Sequence, residues 1–323
     1  MLTFALPFSR VFRFALAATA VITSAQFCLA SAAAHRQRTD TPAPPADLPV
    51  IQGPADAVTQ YQQAAAIIFD MRSTPDYGSA IQKLRTSASQ HFAPAQFLLG
   101  YLYEHGKGVT LDYHKAAENY QAAATQGHAG AENNLAALYQ YGHGVPRDLN
   151  TAFKWYGAAA QHGNPMAQYN LGTFYRLGYA TSPDPVRAAE CFRAAADQGL
   201  AIAQANLAIF YFKGTGVPID NVQAAHYALL AAQQGLPHAA MNYAYMCEHG
   251  LGVSRNDLAA YVWYSRANTF GDKSAASHAK SIAHHLSRTD LEEANSQLAA
   301  DASHPQQPVS IGADSDVALI EKP

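Results

Sequence analysis

Five glycines stand 36 residues apart without a slip: Gly106, Gly142, Gly178, Gly214 and Gly250. The same step carries Ala95 to Ala131, Ala167, Ala203 and Ala239, and Asp112 to Asp148, Asp184, Asp220 and Asn256. A third row links Ala116, Ala152, Ala188, Ala224 and Ala260. Self-similarity at a fixed period of this length is the signature of a solenoid, whose units bury their apolar faces only against their neighbours.

Within one period, Ala131, Leu135 and Leu138 fall at i, i+4 and i+7, which predicts a first helix, helix A. Ala152, Trp155, Tyr156 and Ala159 repeat the pattern and predict a second, helix B. Small residues recur inside helix A (Gly100, Ala136, Gly172, Ala208, Ala244), where a larger side chain would hold a partner helix away. The aspartate before helix B stands where a carboxylate can accept from free backbone N–H groups, as an N-cap. Gly127 and its copies Gly163, Gly199, Gly235 and Gly271 follow helix B and suit a left-handed C-terminal turn.

Between the helices lie glycine pairs: Gly106 with Gly108, Gly142 with Gly144, Gly214 with Gly216, and Gly250 with Gly252. In the third loop Gly178 is followed by Ala180 in place of the second glycine. A phosphate cradle would need Gly-x-Gly after a strand, opening a helix. Here it follows a helix, and no Gly-Lys-Ser/Thr occurs, so these glycines read as helix-ending turns. Ala180 and Thr181 put the geometry of the third loop in doubt.

These residues resemble the pattern of the Sel1-like repeat family, a relative of the tetratricopeptide repeats. That pattern has Ala, then Leu-Gly and Tyr, then Gly-x-Gly-Val, Asp, Ala, Trp-Tyr, Ala-Ala and Gly. The resemblance covers five units, 95–130, 131–166, 167–202, 203–238 and 239–274. It implies an all-α fold, a right-handed α-solenoid of helix-turn-helix repeats, with residues 59–94 a degenerate repeat capping one end and 275–300 two helices capping the other. Residues 301–323 lose helical periodicity and read as a flexible tail.

The segment 1–34 carries Arg10 and Arg13, an apolar run from Phe14 to about Ala30, and small residues allowing cleavage after Ala30, Ala32 or Ala34. That is a secretory signal pattern, and the run is short for a spanning helix. Phe27 before Cys28 argues against a lipid anchor. A Pro- and Ala-rich linker is expected over 35–58. Without the leader the chain keeps only Cys191 and Cys247, so an exported product has no disulfide framework. Export to a periplasm, or secretion, is the expected destination, with no membrane insertion after cleavage. The net charge is -3, which disfavours nucleic acid and anionic membrane as partners.

Candidate chemistry is sparse. The 14 histidines form no His-Glu-x-x-His and join no Cys-x-x-Cys, so no metal or other cofactor is expected. Gly-x-Ser-x-Gly is absent from the mature chain. Cys191 takes the helix B position of Trp155 and Trp263, and Cys247 a tyrosine position in helix A, both packing sites. No catalytic residue is assigned.

The face of helix A left after its packing residues lines the concave groove in similar helical-repeat proteins. It carries Phe97, Tyr101, Tyr169, Ile209, Phe212, Met241 and Tyr245, beside Asn134, Asn170, Asn206 and Asn242 in register. Such a ladder could hydrogen-bond an extended peptide while rings grip its side chains. Equally, the asparagines could satisfy the scaffold's own backbone. The resemblance implies a non-enzymatic adaptor or regulator of the cell envelope that binds a protein or peptide. Relatives also include host-directed virulence factors and cysteine-rich proteins described as binding or cleaving β-lactams, whose repeated cysteine pairs are missing here.

Overall fold

A computed structural model describes residues 53–70 and 74–303. The proposed signal segment, most of the linker and the tail from 304 lie outside them. The described residues form fourteen α-helices and no strand, falling into two compact units that divide within one helix, at Ala167/Gln168.

The first unit holds α1 (Ala55–Ile68), α2 (Tyr77–Ser89), α3 (Ala93–His105), α4 (Tyr113–Ala124), α5 (Ala129–Tyr141), α6 (Leu149–Gln161) and the start of α7 (Pro165–Leu177). The second continues with α8 (Pro185–Asp197), α9 (Ala201–Lys213), α10 (Asn221–Gln233), α11 (Pro237–His249), α12 (Asp257–Phe270), α13 (Ala275–Ala283) and α14 (Arg288–Ser303). Within each unit the helices pack pairwise in chain order, α3 on α4 and α9 on α10 for example, while α14 turns back onto α12.

The A helices α3, α5, α7, α9 and α11 start at 93, 129, 165, 201 and 237, two residues ahead of the frame that the repeated alanines define. The second of those positions differs in every unit, and the first holds either alanine or proline, so neither repeats one residue as the Ala95 register does. The buried alanines Ala95, Ala131, Ala167, Ala203 and Ala239 and their helix B counterparts let the backbones approach. At Gly100 the approach is closest: a methyl group there would come within 2.6 Å of the Tyr120 ring, and at Gly172 within 2.8 Å of Phe192.

Each B helix opens on the capping residue expected from the sequence. Asp112, Asp148, Asp184, Asp220 and Asn256 accept from the backbone N–H of Lys115, Thr151, Arg187, Gln223 and Ala259 at 2.9–3.2 Å. Asp76 does the same for α2 through Ser79, at the same register. The N–H of each capping residue in the five units donates back to the carbonyl nine residues earlier, as Asp112 does to Tyr103 at 3.0 Å. Lys107 N–H closes on Leu102 and His143 N–H on Leu138. The loop after helix A is thus a helix-ending turn whose first amides and capping-residue amide donate to carbonyls of the helix before it.

The two glycines of each pair do different work in that turn. Gly106 ends α3 in the left-handed conformation, at φ +61°. Gly108, at φ +69°, lies against Tyr77 at the first residue of α2, so it also seats the loop on the helix pair before it. A Cβ on Gly108 would overlap the Tyr77 side chain. The sequence reading of Gly108 as a helix-ending turn is therefore incomplete, because its second role depends on a residue 31 positions earlier that no local pattern contains. Gly144 repeats the contact on the start of α4, at Tyr113 and His114.

Two boundaries and one loop differ from the sequence reading. The 35–58 linker ends earlier, because α1 begins at Ala55 and fully buried Ala57 lies under Ser87, whose hydroxyl donates to its carbonyl at 2.6 Å. The tail starts later, since α14 runs through Ser303 and Asp301 is held by Arg266 at 2.8 Å. The third loop keeps the common geometry: Ala180 adopts φ +57°, the left-handed value of the glycines at its register. Ser287 and Asp290 form a reciprocal capping box at the start of α14.

Gly144 has φ +68°, and a methyl group there would overlap the Tyr113 carbonyl on α4. Gly144→Ala therefore combines left-handed strain with a backbone clash and should cost at least about 2 kcal/mol. Ala180→Gly relieves the same strain and should gain about 0.5 kcal/mol after the entropy of glycine is counted. Urea unfolding followed by circular dichroism checks both, and a neutral Gly144→Ala would contradict this account of the loop.

Candidate functional site

The exposed side of the A helices is set by what helix B does not cover. In the first unit, the Tyr120 hydroxyl of α4 donates to Glu104 Oε2 at 2.5 Å and accepts from Asn134 Nδ2 at 3.1 Å, while Asn133 Nδ2 donates to Asn134 Oδ1. Three helices, α3, α4 and α5, meet in this buried chain. Tyr156 donates likewise to Gln140 at 2.8 Å and Tyr264 to Glu248 at 2.7 Å. Where helix B lacks the hydroxyl, the partners change. Phe192 stands in place of tyrosine, and Asn206 Nδ2 instead donates to the Ile202 carbonyl of its own helix at 2.9 Å. In the fourth repeat Ala228 takes the tyrosine position and Phe212 the Glu/Gln position, so the ring comes from the other helix.

The asparagine row is therefore largely part of the scaffold. Asn134, Asn206 and Asn242 are only 2–4% exposed, and the amides of Asn134 and Asn206 serve internal partners, whereas Asn170 is half-buried. Tyr101 is also buried, its hydroxyl accepting from Lys107 Nζ at 3.2 Å and its ionisation pushed up by burial. Ile209 and Met241 are nearly covered. Phe97, Tyr169, Phe212 and Tyr245 are half-buried. Phe97 stacks on His128 with centroids 4.5 Å apart, Tyr169 leans on Phe192 at 5.6 Å, and Tyr245 stacks on His249 at 4.1 Å.

Two arrangements escape a reading of single residues. Nδ1 of His105 lies 3.0 Å from the Tyr101 carbonyl, and Nδ1 of His249 lies 3.0 Å from that of Tyr245. A carbonyl can only accept, so the proton sits on Nδ1, and each ring closes the end of its A helix. A second clamp joins residues 30 apart within a repeat: Gln126 to Gln96, Gln198 to Gln168, and Gln234 to Gln204, at 2.7–2.8 Å. In the second repeat His162 and Glu132 replace both glutamines at 2.8 Å. The Tyr-x-x-x-His spacing and the 30-residue pairing were both present in the sequence as signals.

Burial pushes the Cys191 thiol up to about 11 and also raises Cys247, so both stay protonated near neutrality. Among the described residues no group of three His, Cys, Asp or Glu side chains could hold a metal ion, and no helix is long and apolar enough to cross a membrane.

The class is thus an α-helical repeat scaffold with variable side chains on one face of its A helices. The Sel1 repeat model matches residues 93–128, 129–164, 165–200, 201–236 and 237–269. The chain belongs to the Sel1 repeat family, whose members generally serve as protein-interaction scaffolds. It is similar to a protective antigen of uropathogenic Escherichia coli strains displaying this repeat fold, at 27% identity and a TM-score of 0.69 over 77% of this chain. It spans 54% of that protein's length. A Sel1 repeat protein from Oxalobacter formigenes is 29% identical, with a TM-score of 0.62 over 71% of this chain and 88% of its own. Among curated proteins none matches.

His128 caps α5 by accepting from Ala131 N–H at 3.2 Å, a role that Asn164 fills for α7. Burial lowers its pKa from 6.5 to about 4. A depressed histidine is fully stabilising above pH 6.5, and that stability is lost as pH falls through this window toward 4. His128→Asn keeps an acceptor without a charge. The variant should lose less stability than the parent between pH 7 and pH 5, by about 2 kcal/mol, in parallel thermal melts. Tyr120→Phe removes the hydroxyl shared by Glu104 and Asn134 and should cost about 1–3 kcal/mol in the same assay.

Proposed function

We propose that the chain is an exported, non-enzymatic scaffold that binds a protein or peptide partner through the A-helix face and acts as an adaptor or regulator in the cell envelope. The observation that carries this reading is the contrast between registers. Ala95 and its copies never vary, while the position of Phe97 becomes Asn133, Tyr169, Ala205 and Met241. The position of Tyr101 becomes Ala137, Thr173, Ile209 and Tyr245. Equivalent packing problems do not require different answers, so the varying side chains that stay partly exposed, such as Phe97, Tyr169 and Tyr245, mark recognition. Export rests on the basic, apolar and small-residue order of the leader, which lies outside the described residues.

A second reading, a secreted protein acting on a host, draws support from the likeness to a protective antigen. Cell fractionation with immunodetection separates the two by the compartment that holds the protein.

Binding is tested in the full chain by substitutions confined to the second unit. Tyr169→Ala, Phe212→Ala and Tyr245→Ala combined should lower recovery of envelope partners at least about tenfold, the effect of one or two hot-spot residues. Circular dichroism confirms that helicity is kept. Unchanged recovery from a folded variant would sink the groove reading.

A further inference from the structure

Helix A ends and helix B begins along one edge of the repeats, and in the second unit that edge is apolar. Val186 is 54% exposed, Ile219 68% and Val222 62%, and Leu177 at the end of α7 and Tyr179 in the loop after it are also exposed. The row is continuous, because the loop at Gly216 rests on the first turn of α8, at Val186, and the loop at Gly252 on the first turn of α10, at Val222. In the second repeat the registers of Ile219 and Val222 hold Arg147 and Asn150. Packing therefore does not demand these aliphatics, and their exposure calls for a surface that covers them.

We propose that this edge of the second unit binds a second copy of the chain about a two-fold axis passing through the fourth repeat. The charges choose that occupant. The apolar centre at Ile219 and Val222 is bracketed by two ion pairs, each containing both signs. Asp184 and Arg187 stand 3.5 Å apart on the third repeat, and Arg255 and Asp257 stand 3.0 Å apart on the fifth. A partner of one dominant sign would meet as much repulsion as attraction. A two-fold rotation through the fourth repeat brings the third repeat of one copy against the fifth of the other, setting Arg187 by Asp257 and Arg255 by Asp184. Such an isologous contact uses one patch twice.

Sedimentation equilibrium of the full chain over a concentration series tests it. A concentration-dependent dimer is expected, and Ile219→Glu with Val222→Glu should weaken it at least tenfold without changing helicity. Val222→Cys places a thiol near the axis and should form a covalent dimer without reductant. Asn150→Cys, at the same register of the second repeat, should not. A monomer at every concentration, a dimer indifferent to the glutamate pair, or equal crosslinking by the two cysteine variants would each overturn the proposal.

Discussion

Everything in this molecule depends on how closely helix A can approach helix B. The approach is set by a small residue on A and a ring on B: Gly100 under Tyr120, Gly172 under Phe192. Neither glycine could gain even a methyl group without displacing an aromatic ring. Once the two backbones are fixed at that distance, the turn between them has one length, and the capping aspartate falls at one place. The N–H of that residue then reaches the carbonyl nine residues back. The same small-residue approach recurs every 36 residues, with alanine in place of glycine at Ala136, Ala208 and Ala244, and a loosening there would be passed on to the neighbouring repeat.

Several changes in the interior come as matched pairs. Tyr120 with Glu104 becomes Tyr156 with Gln140, and in the fourth repeat Ala228 stands with Phe212, whereas the third repeat sets Phe192 with Arg176 and keeps a polar side chain without the hydroxyl. The glutamine clamp behaves the same way, since His162 and Glu132 replace both members at once and Ala240 and Phe270 remove both polar groups in the fifth repeat. A single exchange would leave one buried polar group facing an apolar one, which costs more than losing the whole pair.

This explains what the sequence could and could not reveal. Helices, turns and caps were legible because each is encoded locally: a left-handed turn wants glycine, and a free N–H wants an aspartate. The exceptions at Ala180 and His91, both at positive φ, show neighbouring structure holding the conformation when the residue does not favour it. Gly108 was legible as a turn but not as the seat of the loop on Tyr77. The asparagine row was legible as a period but not as a role. Whether Asn134 faces a ligand or Tyr120 depends on a hydroxyl fourteen residues away on another helix. Its burial comes from tertiary packing, which no single-helix pattern contains. The end of the linker was misplaced for a related reason, since Ala57 is fixed by Ser87, thirty residues further on.

Repeats that share a packing solution can differ only where the solution is silent, and the fourth repeat differs most. It gives up the polar tyrosine contact for Phe212 and Ala228, and ten of the thirteen residues of α9 are buried. It also carries the two most exposed aliphatics of the loop edge, Ile219 and Val222. Inside, the tyrosine hydroxyl and its acceptor are gone, while the Gln204–Gln234 clamp is kept. Outside, the same apolar bias leaves surface that water disfavours, on a rigid edge whose backbone cannot turn those side chains inward. One repeat thus concentrates core simplification and surface exposure in the middle of its unit, where both flanking repeats hold it in place and neither covers it.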